Sequence, residues 1–128
     1  MPLFHCFGCV IGTMAAAVTG AASVLPAATF DPRATLEAID RERCTAVYGV
    51  PAMFIAELQH AEFAQFDLAS LRTGVMAGAP CPIEVMRRVV GEMHCPELVV
   101  CYGQTESSPV ITMSRVDDSV QMRCTTVG

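Results

Sequence analysis

The sequence contains no lysine; all eight basic residues are arginine. A Schiff-base amine, a P-loop lysine or a catalytic ammonium therefore cannot come from these 128 residues. Tryptophan is absent too, and aromatic residues make up only 6% of the chain. The net charge is −5 and no basic stripe is present, so the chain lacks the electrostatic footprint and the stacking surface of a nucleic-acid binder. Charge of either sign is scarce, at 16% of residues against about 25% in an average soluble chain. With 52% hydrophobic residues, the chain carries more core-forming material than its own surface balances. Part of that surface is expected to lie against a membrane, a partner or the remainder of a larger protein.

A long, strongly apolar run is also missing. Leu3 to Phe30 carries no formal charge, but alanine, glycine and threonine dominate it, and His5 and Pro26 interrupt it. Such residues give little transfer energy, and no arginine flanks the start. The stretch reads as a buried helix over Gly8–Thr19, stopped by Gly20, then a short buried strand over Ala21–Leu25 ended by Pro26. A membrane span is not expected. The seven cysteines are odd in number and follow no signal peptide, which reads as reduced thiols in an intracellular protein. Cys6 and Cys9 match C-x-x-C, but no second pair stands at zinc-site spacing.

The rest alternates. Asp31-Pro32 is a helix start, with aspartate as cap and proline in the first turn; that helix runs toward Arg43. Cys44–Tyr48 reads as a strand, Gly49-Val50-Pro51 as a turn, and Pro51–Leu58 as a helix with Met53, Phe54 and Leu58 inward. Gln59–Ser70 is irregular, anchored by Phe63 and Phe66. Leu71–Ala77 is a strand and Gly78-Ala79-Pro80 a small-residue loop. Pro82–Met93 has the clearest helical period, with Ile83, Met86, Val89 or Val90, and Met93 on one face. Leu98–Cys101 and Val110–Met113 are strands. The tail from Ser114 has no strong period. This alternation implies an α/β fold in three layers with a largely parallel sheet.

Ligands of parallel sheets gather at the carboxyl ends of strands. Three loops qualify: Gly49-Val50-Pro51, Gly78-Ala79-Pro80, and Tyr102-Gly103-Gln104-Thr105-Glu106. Gly78 has no Cβ and lets backbone approach a flat ring. Tyr102 offers a ring face, Thr105 a hydroxyl for a phosphate oxygen, and Glu106 a carboxylate for a hard cation such as Mg²⁺. The alternative is three ordinary turns. His5 reads either as a strand-end histidine or as a gate beside a pocket. No G-x-S-x-G and no G-x-x-x-x-G-K occurs.

Taken together, these segments resemble the adenylate-forming, AMP-binding acyl-CoA synthetases. Tyr102–Glu106 looks like the family's Y-G-x-T-E motif, and Pro2–Gly8 its P-x-F-H-x-x-G segment. Tyr48–Phe54 is similar to its V-P-x-M turn, Leu71–Gly74 with Ala77–Pro80 to its L-R-x-G…G-A-P segment, and Thr126-Val127-Gly128 to its T-V-G. The medium-chain fatty-acid–CoA ligase type matches best. The resemblance implies activation of a carboxylic acid with ATP, through an acyl-adenylate, and transfer to CoA with release of AMP. It implies nucleotide contacts at Gly78, Ala79, Pro80, Tyr102, Gly103, Gln104 and Thr105, and catalytic roles for Thr105 and Glu106, with Glu106 on Mg²⁺. It places His5, Val50, Met53 and Gly103 near the acyl group. The family's phosphate loop, hinge, mobile C-terminal domain and catalytic lysine have no counterpart here. Residues 1–128 are thus expected to be one partial AMP-binding domain, inactive alone, whose partners are its substrates and the remainder of the parent synthetase. The compartment is the cytoplasm if the source is bacterial, or the mitochondrial matrix. An aryl–CoA ligase, a peptide-synthetase adenylation domain and a non-catalytic truncated product remain open.

Overall fold

In the computed structural model, which describes residues 1–128, four strands form one sheet in the order β1-β2-β3-β4. They are β1 (Ala46–Gly49), β2 (Thr73–Ala77), β3 (Glu97–Gly103) and β4 (Val110–Met113). The first three are parallel, and β4 returns antiparallel beside β3. Five α-helices surround the sheet: α1 (Ala15–Thr19), α2 (Pro32–Glu42), α3 (Pro51–Leu58), α4 (Ile83–Glu92) and α5 (Val120–Thr125). The expected α/β architecture is present.

Local chemistry explains most boundaries. The Asp31 carboxylate accepts the Ala34 N–H at 2.8 Å, and Pro32 opens α2. Proline also opens α3 after Val50 in extended conformation. Ser119 caps α5, its Oγ accepting the Met122 N–H at 3.2 Å.

The two sheet faces are unequally covered. On one, Leu36 and Ile39 of α2, Phe54 and Leu58 of α3, and Met86, Val89 and Met93 pack on Val47, Met76, Leu98 and Val100. On the other, Phe7 alone of the buried residues caps Val75, Ala77, Val99 and Cys101. Strand side chains alternate, so β2 and β3 feed both cores, while β1 gives Val47 to the first alone.

Several expectations are corrected. The segment read as a buried helix over Gly8–Thr19 is helical, with π-type turns over Phe7–Met14 leading into α1. It is not buried beyond Phe7 and Gly8, because its apolar surface has only a narrow strip of the sheet to pack on. Ala21–Leu25 is not a strand and is exposed. A strand exists only by pairing, and neither edge of this sheet pairs with it. The tail holds α5, and β3 runs on through Tyr102 and Gly103. No helix is long and apolar enough to cross a membrane.

Candidate functional site

The parallel register lines up three strand ends. Gly49 stands opposite Met76, and Ala77 opposite Cys101. The loops after β1, β2 and β3 therefore leave the same edge of the sheet side by side. Val50 and Gly78 meet there: a Cβ on Gly78 would sit 3.2 Å from Val50 Cγ1. Gly78 also has φ +84°, a left-handed conformation that favours glycine. Met53 lies in the first turn of α3, its N–H donating to the Val50 carbonyl at 2.9 Å. Both Val50 and Met53 are half-buried.

The Gly78-Ala79-Pro80 loop is exposed but tethered. The Cys81 thiol donates to the carbonyls of Met76 and Ala79 at 3.5 Å each. Burial pushes this thiol up to about 11, with smaller contributions from Cys124 and Cys101. It stays protonated and able to donate. Sequence reasoning passed over Cys81, and nothing in the linear pattern marks it.

The third loop is shaped by Gly103. The register shifts between Tyr102 and Gly103, and a Cβ on Gly103 would collide with the Pro109 carbonyl. Only glycine lets the two chains close here. The strand then turns sharply: Gln104 is extended, and Thr105–Ser107 form one 3₁₀ turn. Gln104 Nε2 donates to Ser107 Oγ at 3.5 Å. Tyr102 remains 49% exposed at the strand end. Glu106 is exposed and takes part in none of the chain's hydrogen bonds or ion pairs.

The N-terminal loop reaches the same place. Cys6 Sγ lies 3.5 Å from Thr105 Oγ1, which brings His5 beside the third loop. The His5 ring is held locally, its Nδ1 accepting the Phe7 N–H at 3.1 Å. Of the residues expected in the site, the structure thus joins Val50 to Gly78 and the His5–Cys6 loop to Thr105. Tyr102 follows Cys101, the partner of Ala77, so the strand register sets it at the same level as Gly78. A depression of about 450 Å³ lies elsewhere, on the thin sheet face between Ile11, Tyr48, Gly74 and Val116, and none of the candidate residues lines it.

No three His, Cys, Asp or Glu side chains converge as a metal cage. A lone, uncommitted carboxylate one residue after a hydroxyl instead fits the Mg²⁺ style of binding, one or two carboxylates with substrate phosphates. A dedicated calcium or zinc site would need more protein ligands.

Comparison with known proteins follows the same lines. The family model described as AMP-binding enzyme matches residues 1–128. A putative acyl-CoA synthetase from Bacillus subtilis, YngI, is 51% identical over 128 residues, all of this chain and 23% of its own. The mitochondrial medium-chain acyl-CoA ligase ACSF2 of Danio rerio is 45% identical, over 100% of this chain and 21% of its own. Among solved structures, the anthranilate CoA ligase AuaEII in complex with anthranoyl-AMP superposes with TM-score 0.79 at 26% identity, covering 91% of this chain and 23% of that one. The chain spans about a fifth of the length of these curated relatives.

Proposed function

The chain belongs to the AMP-binding enzyme family, and from that premise we propose that it forms part of an AMP-forming acyl-CoA synthetase acting on fatty acids. The observation that carries this reading is the shared sheet edge. Three parallel strands end in register there, and the last loop presents Thr105 and an uncommitted Glu106. The identities of 51% and 45% to an acyl-CoA synthetase and a medium-chain ligase favour a fatty acid over the aryl acid of the 26% identical structure.

In this reading the carboxylate of the acid attacks the α-phosphorus of ATP and pyrophosphate leaves. The CoA thiol then attacks the acyl-adenylate carbonyl and AMP leaves. Tyr102 stacks on adenine, and the Gly78-Ala79-Pro80 backbone lies along the ring, with Gly103 and Gln104 completing the nucleotide contacts. Thr105 donates its hydroxyl to the α-phosphate, and Glu106 holds Mg²⁺. When Mg²⁺ is bound, it offsets phosphate charge and lowers the barrier to attack at phosphorus. His5, Val50, Met53 and Gly103 border the acyl group. Residues 1–128 are one partial AMP-binding domain, whose partner is the remainder of the synthetase. The compartment is the bacterial cytoplasm or the mitochondrial matrix.

Pyrophosphate exchange with ATP and octanoate tests the proposal. The full-length protein carrying this sequence should exchange, and the isolated 128 residues, which supply no lysine, should not. Absence of exchange with any carboxylic acid in the full-length protein would contradict the function.

A further inference from the structure

We infer that Cys6 is a positioning residue that sets the Thr105 hydroxyl for the phosphate, an inference that rests on the nucleotide reading above. The two residues are 99 positions apart, and their side chains meet at 3.5 Å. The Cys6 thiol is the sole protein group that bonds the Thr105 hydroxyl.

A threonine hydroxyl has one proton to donate and two lone pairs to receive. To bind an anionic phosphate oxygen it must spend its proton outward. A thiol that donates S–H to Oγ1 occupies a lone pair and leaves that proton free. The thiol has one other acceptor within reach, His5 Nδ1 at 3.8 Å. That nitrogen's lone pair is already taken by the Phe7 N–H at the shorter distance of 3.1 Å. Thr105 Oγ1 is therefore the acceptor left to the thiol proton, and the reverse sense, with Oγ1 donating to Sγ, would spend the proton that the phosphate needs. Phe7, next in sequence, is 5% exposed and packed on Val75, Ala77, Val99 and Cys101. The donor thus stands at the start of the helix from Phe7, which that contact pins to the sheet.

A thiol is a weak donor. It biases the hydroxyl rotor without competing with a charged phosphate for it. The same arrangement ties the acyl-side loop, through His5, to the phosphate-side hydroxyl. Cys6 should accordingly affect the nucleotide step and leave acid binding alone.

The test is steady-state pyrophosphate exchange in the full-length protein with Cys6→Val, Cys6→Ala and Cys6→Ser, each also combined with Thr105→Val. Cys6→Val and Cys6→Ala should each lower kcat/KM for ATP by about 2- to 10-fold, as expected for loss of about 0.4–1.4 kcal/mol of hydrogen-bond positioning. The KM for the acid should stay within about twofold. Cys6→Ser keeps a donor and should recover most of the loss. In the Thr105→Val background, Cys6→Val should cost nothing more. Wild-type kinetics in both Cys6→Val and Cys6→Ala overturn the inference, as does failure of Cys6→Ser to recover activity or an undiminished Cys6→Val effect beside Thr105→Val. If Cys6→Val misfolds, the smaller Cys6→Ala decides the matter. A wild-type protein without exchange would overturn the functional reading itself, and this inference with it.

Discussion

The two ends of β3 treat their polar groups in opposite ways. At the amino end, Arg123 of α5 is 5% exposed. Its guanidinium donates to four carbonyls, those of Pro96 and Leu98 at 2.8 Å, Asp118 at 2.9 Å and Val116 at 2.6 Å. At the carboxyl end, Tyr102, Thr105 and Glu106 are exposed, and Glu106 has no partner. A polar group that folding has satisfied is structural; one left free on a rigid scaffold is available to a ligand. The amino end is a clasp holding the tail to the sheet, and the carboxyl end is where we propose the site.

That contrast can be broken most forcefully at Arg123. Arg123→Met would leave four carbonyls short of a charged donor, and hydrogen bonds to charged groups contribute about 1.5–3 kcal/mol each. A loss of at least about 3–5 kcal/mol is expected, enough to threaten folding. Thermal melting of the full-length protein checks this. A change below about 1 kcal/mol would show that the clasp is not structural.

Glu57 on α3 sharpens the rule, because it falls in neither class. It is 1% exposed, and its Oε2 has no partner. Burial pushes its carboxyl up to about 8, the N-terminal charge opposing that in small part. The folded state therefore holds a proton that the unfolded state loses near its ordinary value of 4.5. The sign follows: stability from this group is fully present below about 4.5 and is lost as pH rises through about 8. Glu57→Gln removes the dependence. Its stability relative to wild type should grow by on the order of 5 kcal/mol as pH rises through that window. Parallel stability–pH curves for the two proteins would contradict the assignment.

The sequence made the site end more legible than the clasp. Asp31-Pro32 announced α2 because capping is local chemistry, and the bond from Asp31 to Ala34 is there. Met86, Val89 and Met93 announced the buried face of α4 because their spacing follows the helix. Polar residues directly after an apolar strand marked the third loop. Arg123 gave no signal, since two of its four acceptors, the carbonyls of Pro96 and Leu98, lie 27 and 25 residues away along the chain. Ser119 was the available clue to α5, obscured by Asp117-Asp118. The contact of Cys6 with Thr105 is equally invisible along the chain. Ala21–Leu25 and the helix from Phe7 show the opposite error. Apolar composition says what could be buried or paired, not whether a surface or an edge is there to receive it.

We propose that the carboxyl end of β3 binds nucleotide and Mg²⁺ rather than holding the fold. Glu106→Gln in the full-length protein tests it most directly, by ATP–pyrophosphate exchange alongside a melting curve. The expected result is a loss of about 10²-fold in exchange, about 2.7 kcal/mol in the barrier, with the melting temperature unchanged. Wild-type exchange would remove Glu106 from the site, and a large drop in melting temperature would make it a structural residue; either result contradicts the claim.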